Sequence, residues 1–512
     1  MSNWSAGYVS DIDYIYGYFS ELNPLCAELA FASQGIYFPK VENACELGFG
    51  QGLSLNIHAS ASEISWFGSD FIPSQASFAQ SLARESENGA SIYDFSFAEF
   101  NQLNELPNFD FIGLHGVWSW ISDENRREIC KFLKERLNVG GVVYMSYNTL
   151  PGWSAFAPIR HLLTEYASRL CSPGEGTKSS MDNAFEFTKE LLAVDPAYLT
   201  QNPTVASRLK EVLSLNKAYL AHEYFNDSWH PMYFSNVEKL LEPTKLTYSC
   251  SAEFLDDLDN INLTEQQAAF LSNINDESMR QLLKDYMSNK IFRRDYWIKG
   301  KRRMGVMEQR LTLRNLNVAL TVPRQLIEFE FTHLNRKVNL APNIYEPVVD
   351  LLADKGVCTI EVIESKLSSK GIDLNHIVQC LLVLSARRQA QVVRDDDETA
   401  RLKPSTDRIN NILVQQSAEF AGPIRVLASP RTGGAVHIER FHQMFLRSVA
   451  KGKKDKASLA REAWDIMRSQ NDKLVVDGVQ IESEKDNLQK LEQEASAFLQ
   501  ERLPTFKVLG LV

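Results

Sequence analysis

NACELGFGQGLSLNIHASASEISWFGSD, residues 43–70, is the stretch that decides the fold. Asn43 to Leu47 is a short apolar run, and three glycines (48, 50 and 52) follow it at alternate positions, which predicts a strand running into a tight turn. LSLNIHA then opens a helix, and ISWFGSDF (64–71) is a second strand that ends in an acid. The pattern repeats outward. Pro73 to Asn88 predicts a helix with Phe78, Ala79, Leu82 and Ala83 inward and Gly89 after it. SIYDF (91–95) and FDFIGLH (109–115) predict strands three and four, and Ser122 caps the next helix. After Gly140-Gly141, VVYMSYN (142–148) is strand five. Strands separated by helices imply βαβ units, hence an α/β, doubly wound, mainly parallel sheet with helices on both faces.

Further along, the sheet pattern is interrupted. Residues 154–221 read as helical, a helix and a strand resume at 235–242 and 245–250, and a second helical block follows at 253–292. EQRLTLR (308–314) alternates like a last strand. The expected organisation is an N-terminal segment at 1–40 and an α/β domain at 41–315 with helical insertions at about 154–221 and 253–300. A winged-helix-like module of three short helices and a strand follows at 330–410, with Thr359 as an N-cap. The remainder, 420–512, reads as a small helical domain ending in an amphipathic helix through Ile481, Leu488, Leu491, Ala495 and Phe498.

Composition narrows the class. Lys+Arg is 54 against 65 Asp+Glu, a net charge of -11, which disfavours a bulk nucleic-acid binder. Seven scattered cysteines, none at CxxC spacing, read as reduced thiols of a cytoplasmic protein. The N-terminus lacks the regions of a signal peptide, and no run of ~20 apolar residues is present to span a membrane.

Chemistry concentrates at the strand ends. The glycines after strand one let backbone approach a ligand closely, and the helix that follows presents unpaired N–H groups. This arrangement suits a dinucleotide pyrophosphate or the carboxylate end of S-adenosylmethionine. The dinucleotide spacing G-x-G-x-x-G is not met, whereas an acid before the glycines, E-x-G-x-G-x-G from Glu46, fits the methyl donor. Asp70 is placed to accept two ribose hydroxyls in either case. HGVWSW (115–120) and SYNTLPGW (146–153) follow strands four and five and put rings where a sulfonium or ammonium can be met by cation–π attraction. In HEYFNDSWH (222–230) no third ligand is spaced to join the two histidines, so no metal is expected.

ELGFGQG, Asp70, HGVWSW, SYNTLPGW and HEYFNDSWHPMYF together resemble the class I S-adenosylmethionine-dependent methyltransferases that carry a methyltransferase regulatory domain. Bacterial protein-lysine methyltransferases of the rickettsial type, which modify outer-membrane proteins, belong to that group. The resemblance covers roughly residues 8–315. It implies S-adenosyl-L-methionine as cofactor, held by Glu46, Gly48, Gly50, Gly52, Asp70, Phe71, Ser96, Phe97 and His115. It also implies a tyrosine-rich cover, YIYGYFSELNP, that brings Tyr14 and Tyr18 over the cofactor. His115, Trp118, Tyr147, Asn148, His222 and Tyr224 are the expected acceptor-side residues. The activity implied is N-methylation of lysine side chains of a protein. A glycan or small metabolite as acceptor, a non-catalytic cofactor-binding module, and a homodimer stay open.

Overall fold

The computed structural model describes residues 7–9, 11, 12, 14–172, 174–419, 424–470, 472–476 and 479–512; Trp4 lies outside them. A seven-stranded sheet organises the first 300 residues. Its strands are β1 (Asn43–Leu47), β2 (Ser65–Ser69), β3 (Ser91–Tyr93), β4 (Phe109–Leu114), β5 (Leu137–Asn148), β6 (Leu246–Ser251) and β7 (Phe292–Lys299), in the spatial order β3-β2-β1-β4-β5-β7-β6. The first five are parallel. β7 pairs antiparallel with both β5 and β6. β1 is paired along both edges, with Ala44 in register with Trp66 of β2 on one side and Phe111 of β4 on the other.

Helices α1 (Pro24–Ser33), α2 (Leu53–Ser60), α3 (Pro73–Ser86), α4 (Phe97–Asn101) and α5 (Asp123–Arg136) cover the sheet. Ser122 caps α5 by accepting the Asn125 N–H, and Ser96 forms a capping box with Glu99 at α4. Between β5 and β6 the chain leaves the sheet as five helices, Ala157–Leu170 through Lys217–Tyr224. They bury a core of their own that includes Trp153, Phe156, Leu163, Phe185 and Tyr224, with Val9 of the N-terminal segment added to it.

Two expectations are corrected here. Residues 306–315 form a helix, not a strand; Leu313 is buried while Leu311 faces solvent. Gln309 on that helix donates to the carbonyls of Ala32 and Ser33, closing the end of α1. The antiparallel strand is instead β7, inside the stretch expected to be a helical insertion. Its sequence, FRRDYWIK, hides a largely buried strand behind four charges. Those charges are compensated: Arg293 donates to Asp295 at 2.9 Å, to Asp285 at 2.7 Å and to Gln281 at 2.9 Å.

Beyond the sheet, β8 (Asn317–Leu320) is the central strand of a three-stranded antiparallel sheet with Val357–Thr359 and Ala390–Val392. Helices Pro342–Lys355, Ile360–Leu367 and Leu374–Ala386 pack on it, and Thr359 caps the second. The C-terminal part follows the long helix Asp396–Glu419, and its core reaches Leu53 and Ile57 of α2 and Leu82 of α3. Among the described residues no helix is long and apolar enough to cross a membrane.

Candidate active site

A cavity opens at the carboxyl ends of β1 to β4, where the chain turns from β1 toward β2 on one side and β4 lies on the other. This is the switch point at which doubly wound sheets bind ligands. The turn after β1 supplies its floor. Gly48 and Gly50 line it with φ of 70° and 57°, and a Cβ on Gly48 would stand 2.5 Å from the Val117 side chain. Gly52 also has a positive φ but lies off the cavity; it precedes α2 and packs against Ala79.

Asp70 is buried at the end of β2. It accepts the Gly50 N–H at 2.8 Å through one oxygen and the Ile72 N–H at 3.0 Å through the other. Burial outweighs these bonds and raises its carboxyl to about 6. Glu46, also buried and lining the cavity, is pushed well above the usual carboxylate range by desolvation and then by Asp70. Its Oε2 has no hydrogen-bond partner among the described residues.

Phe71, Ser96 and Phe97 line the cavity as well, beside Phe49, Gln75 and Phe95. The Ser96 hydroxyl is engaged by Glu99 at 2.7 Å. His115 closes the inner end. Its Nδ1 lies 2.8 Å from the Tyr144 hydroxyl, and burial lowers its pKa to about 4, so the imidazole is neutral.

The tyrosine-rich segment forms the roof. Tyr8, Tyr14 and Phe19 face the cavity. Tyr18 does not: it lies over His58, with its hydroxyl 3.3 Å from Nε2, and lines a second cavity. The Gly17 N–H donates to the Ile15 carbonyl at 3.1 Å, a three-residue turn that breaks the two-residue alternation and sends Tyr14 and Phe19 one way, Tyr16 and Tyr18 the other. The roof is held from outside by the last helix of the insertion and the loop after it. Asn226 Oδ1 accepts the Val9 N–H at 2.8 Å, the Asp227 N–H donates to the Gly7 carbonyl at 3.0 Å, and His222 Nε2 donates to the Ile12 carbonyl at 2.9 Å. The rings of Tyr8 and Tyr14 lie 5.4 and 5.0 Å from that of His222.

Of the expected acceptor-side residues, only His115 reaches the cavity. Trp118 is fully buried in the core under β4 and β5. Tyr147 is buried too and donates to Asp295 at 2.7 Å. The Asn148 backbone is anchored by the Ser119 hydroxyl, and its side chain is buried. Tyr224 belongs to the core of the insertion, and His222 backs the roof. The reason is local: strand alternation and the short helical turn Trp118–Trp120 turn Trp118 inward and Trp120 toward the cavity. Trp120, within the HGVWSW stretch read as facing the ligand, lines the cavity, and Ile121, Ser122 and Asn125, which were not anticipated there, complete the lining. Among the described residues, no group of three or more metal-ligating side chains comes together.

The sheet order with its antiparallel β7 and the cavity over the β1 switch point define a class I methyltransferase fold. Residues 216–299 match the predicted methyltransferase regulatory domain. The chain is 34% identical to the uncharacterized protein sll1526 of Synechocystis sp. over 99% of both chains. It is 27% identical to the uncharacterized protein RP789 of Rickettsia prowazekii over 38% of this chain and 37% of that one. Among solved structures, PKMT2 from Rickettsia typhi in complex with AdoHcy superposes with a TM-score of 0.69 over 97% of this chain and 99% of that chain, at 16% identity, a likeness of fold. This chain belongs to the same family as sll1526, and within it residues 216–299 carry the predicted methyltransferase regulatory domain.

Proposed function

We propose that this protein is an S-adenosylmethionine-dependent methyltransferase whose acceptor is a lysine side chain of a protein. The observation that carries the cofactor reading is the pair of buried carboxyl groups facing one cavity. Asp70 is tied to the turn by two backbone N–H groups, and Glu46 has an oxygen without a partner. A ligand bearing both hydroxyl and ammonium donors satisfies that donor demand. Asp70 accepts the ribose hydroxyls, Glu46 accepts from the ammonium, and the Gly48 and Gly50 backbone allows close approach. Phe71, Ser96 and Phe97 bracket the base. When bound, the cofactor supplies an electrophilic methyl on a sulfonium.

The acceptor reading rests on what surrounds His115. Among the described residues no strongly basic group faces the cavity there; the imidazole is neutral with its pKa near 4, too weak a base to hold a lysine proton. The surroundings are aromatic and apolar: Phe19, Trp120 and Ile121. Such a lining strips water from an ammonium and lowers its pKa, so a neutral amine is presented without a dedicated base. The rings hold the cation by cation–π contact before the proton leaves. Catalysis is then orientation and desolvation of two reactants. The likeness to PKMT2, a fold-level one, agrees with this reading.

The test is incubation with labelled S-adenosylmethionine and a bacterial lysate, followed by hydrolysis of the labelled protein. Methyl-lysine is the expected product. Label in glycan or small-molecule fractions overturns the acceptor reading alone, whereas absence of cofactor binding by calorimetry overturns the cofactor reading.

A further inference from the structure

The second cavity, of about 270 Å³, lies where four parts of the chain meet. Tyr16, Tyr18 and Glu21 come from the roof segment and Tyr296 from β7. Arg388 follows the third helix of the module built on β8, and Arg425 and His437 flank the hairpin of the C-terminal part. Its size approaches the lower end of the range for small-molecule sites, ~300 Å³.

Its charge is opposite to that of the whole molecule. The net charge of the chain is -11. In the cavity wall, two guanidinium groups face a single carboxylate, Glu21, which is ion-paired with Arg294 at 3.2 Å, while the His437 imidazole is paired with Glu439 at 3.0 Å. Arg388 stands out. Its backbone is fixed, with the N–H donating to Ser385 at 2.9 Å and the carbonyl accepting from Thr321 at 2.7 Å, and its φ is 54°. An arginine in the left-handed region is strained, and such strain persists where the surrounding structure imposes it. Among the described residues its guanidinium makes no hydrogen bond or ion pair, although it stands close enough to Tyr18 and Cys26 to bias their protons. Three aromatic rings, Tyr16, Tyr18 and Tyr296, line the same cavity.

We infer that this junction cavity is a binding site for a small organic anion, with a carboxylate or phosphate head held by Arg388 and Arg425 and a planar apolar body against the tyrosines. A guanidinium prefers planar, two-oxygen acceptors, which carboxylate and phosphate share.

The test is calorimetry on the full chain with three probes of similar body: phenyl phosphate, phenylacetate and benzyl alcohol. The expected result is binding of at least one anion with Kd of about 1 mM or tighter, and none of the alcohol. Which anion binds more tightly distinguishes a phosphate from a carboxylate ligand. Arg388→Asn removes the charge with a residue that tolerates the left-handed backbone; it should weaken binding about tenfold or more at unchanged melting temperature. Arg401→Asn, at an exposed arginine paired with Glu63 outside the cavity, should change nothing. If Arg388→Asn fails to fold, Arg388→Lys, which keeps the charge but not the fork, should still weaken binding. The inference is overturned if neither anion binds at about 10 mM, if the alcohol binds as well as the anions, or if the Arg388 variants bind like wild type. Capture of an acidic peptide such as hexaglutamate, with no response to either small anion, also overturns it and points to a protein partner.

Discussion

The ring of Phe19 lies on the imidazole of His115 with centroids 3.5 Å apart and planes inclined by 21°. One residue belongs to the roof and the other to the end of β4, so this stack is where the cover meets the sheet. It also keeps water from the imidazole. Phe19→Ala should therefore let the His115 pKa climb from about 4 toward its ordinary value. Histidine titration by NMR reads this directly; an unmoved His115 would mean that the ring is not what keeps it dry.

Cofactor affinity should depend on pH through Asp70. Its folded pKa of about 6 lies above the usual value of 3.8, so burial favours the protonated form. The residue's contribution to the stability of the free protein is fully present below 3.8 and is lost as pH rises through about 6. Ribose hydroxyls need the ionised acceptor, so binding runs the other way and weakens as pH falls through about 6. Asp70→Asn should abolish that pH dependence and weaken S-adenosylmethionine by ~1–3 kcal/mol. Calorimetry at several pH values checks both.

Trp118 and Trp120, two residues apart, should separate stability from activity. Trp118→Ala leaves a hole in a closed core and should cost ~3–5 kcal/mol of folding free energy, with cofactor affinity unchanged in the protein that remains folded. Trp120→Ala removes a cavity ring and should lower turnover about tenfold, ~1.4 kcal/mol of barrier, at a smaller loss of stability than Trp118→Ala. The reverse pattern would exchange their roles.

Arg293 holds two carboxylates away from solvent. Arg293→Ala leaves both without their cation and should destabilise the domain by ~3–5 kcal/mol. Tyr147→Phe removes one donor to Asp295 while Arg293 stays, and should cost only ~1 kcal/mol. Urea midpoints of the two variants should rank in that order.

Asn226 should govern residence of the cofactor. Its side chain ties Val9 to the insertion, with its own Nδ2 donating to the His222 carbonyl. Asn226→Ala loosens the roof and should raise the S-adenosylmethionine dissociation rate about tenfold, with a smaller effect on association. Stopped-flow displacement measures it; an unaltered rate would show that the roof is held by other contacts.

The parallel half of the fold was legible because each of its signals is local. Apolar runs, glycine turns and caps such as Ser122 and Thr359 declare themselves within a few residues. What escaped was set by distance. Arg293 and Asp295 make β7 look unlike a strand until Asp285 and Gln281 arrive from a helix to meet them. Leu311 and Leu313 alternate like a strand, yet they lie on a helix whose Gln309 reaches the carbonyls at the end of α1, a contact no local pattern shows. The cavity floor, Glu46 to Gly50 with Asp70, follows from spacing alone. Its aromatic rim does not. Whether Trp118 or Trp120, Tyr18 or Phe19 faces a ligand depends on a single turn of backbone that composition does not encode.

The late position of β7 in the chain has a consequence for synthesis. Tyr147 and its partner Asp295 are 148 residues apart. Until Phe292–Lys299 has been made, the long β5 has an open edge, Val142 to Asn148, almost wholly apolar and pre-shaped for pairing. A nascent chain paused anywhere in the helical insertion therefore displays an unpaired strand, the feature through which chains most readily pair with one another. Truncations ending before residue 292 should accumulate as aggregates even though all five parallel strands are present. The strand that completes the sheet thus marks the point in translation at which the edge of β5 is closed.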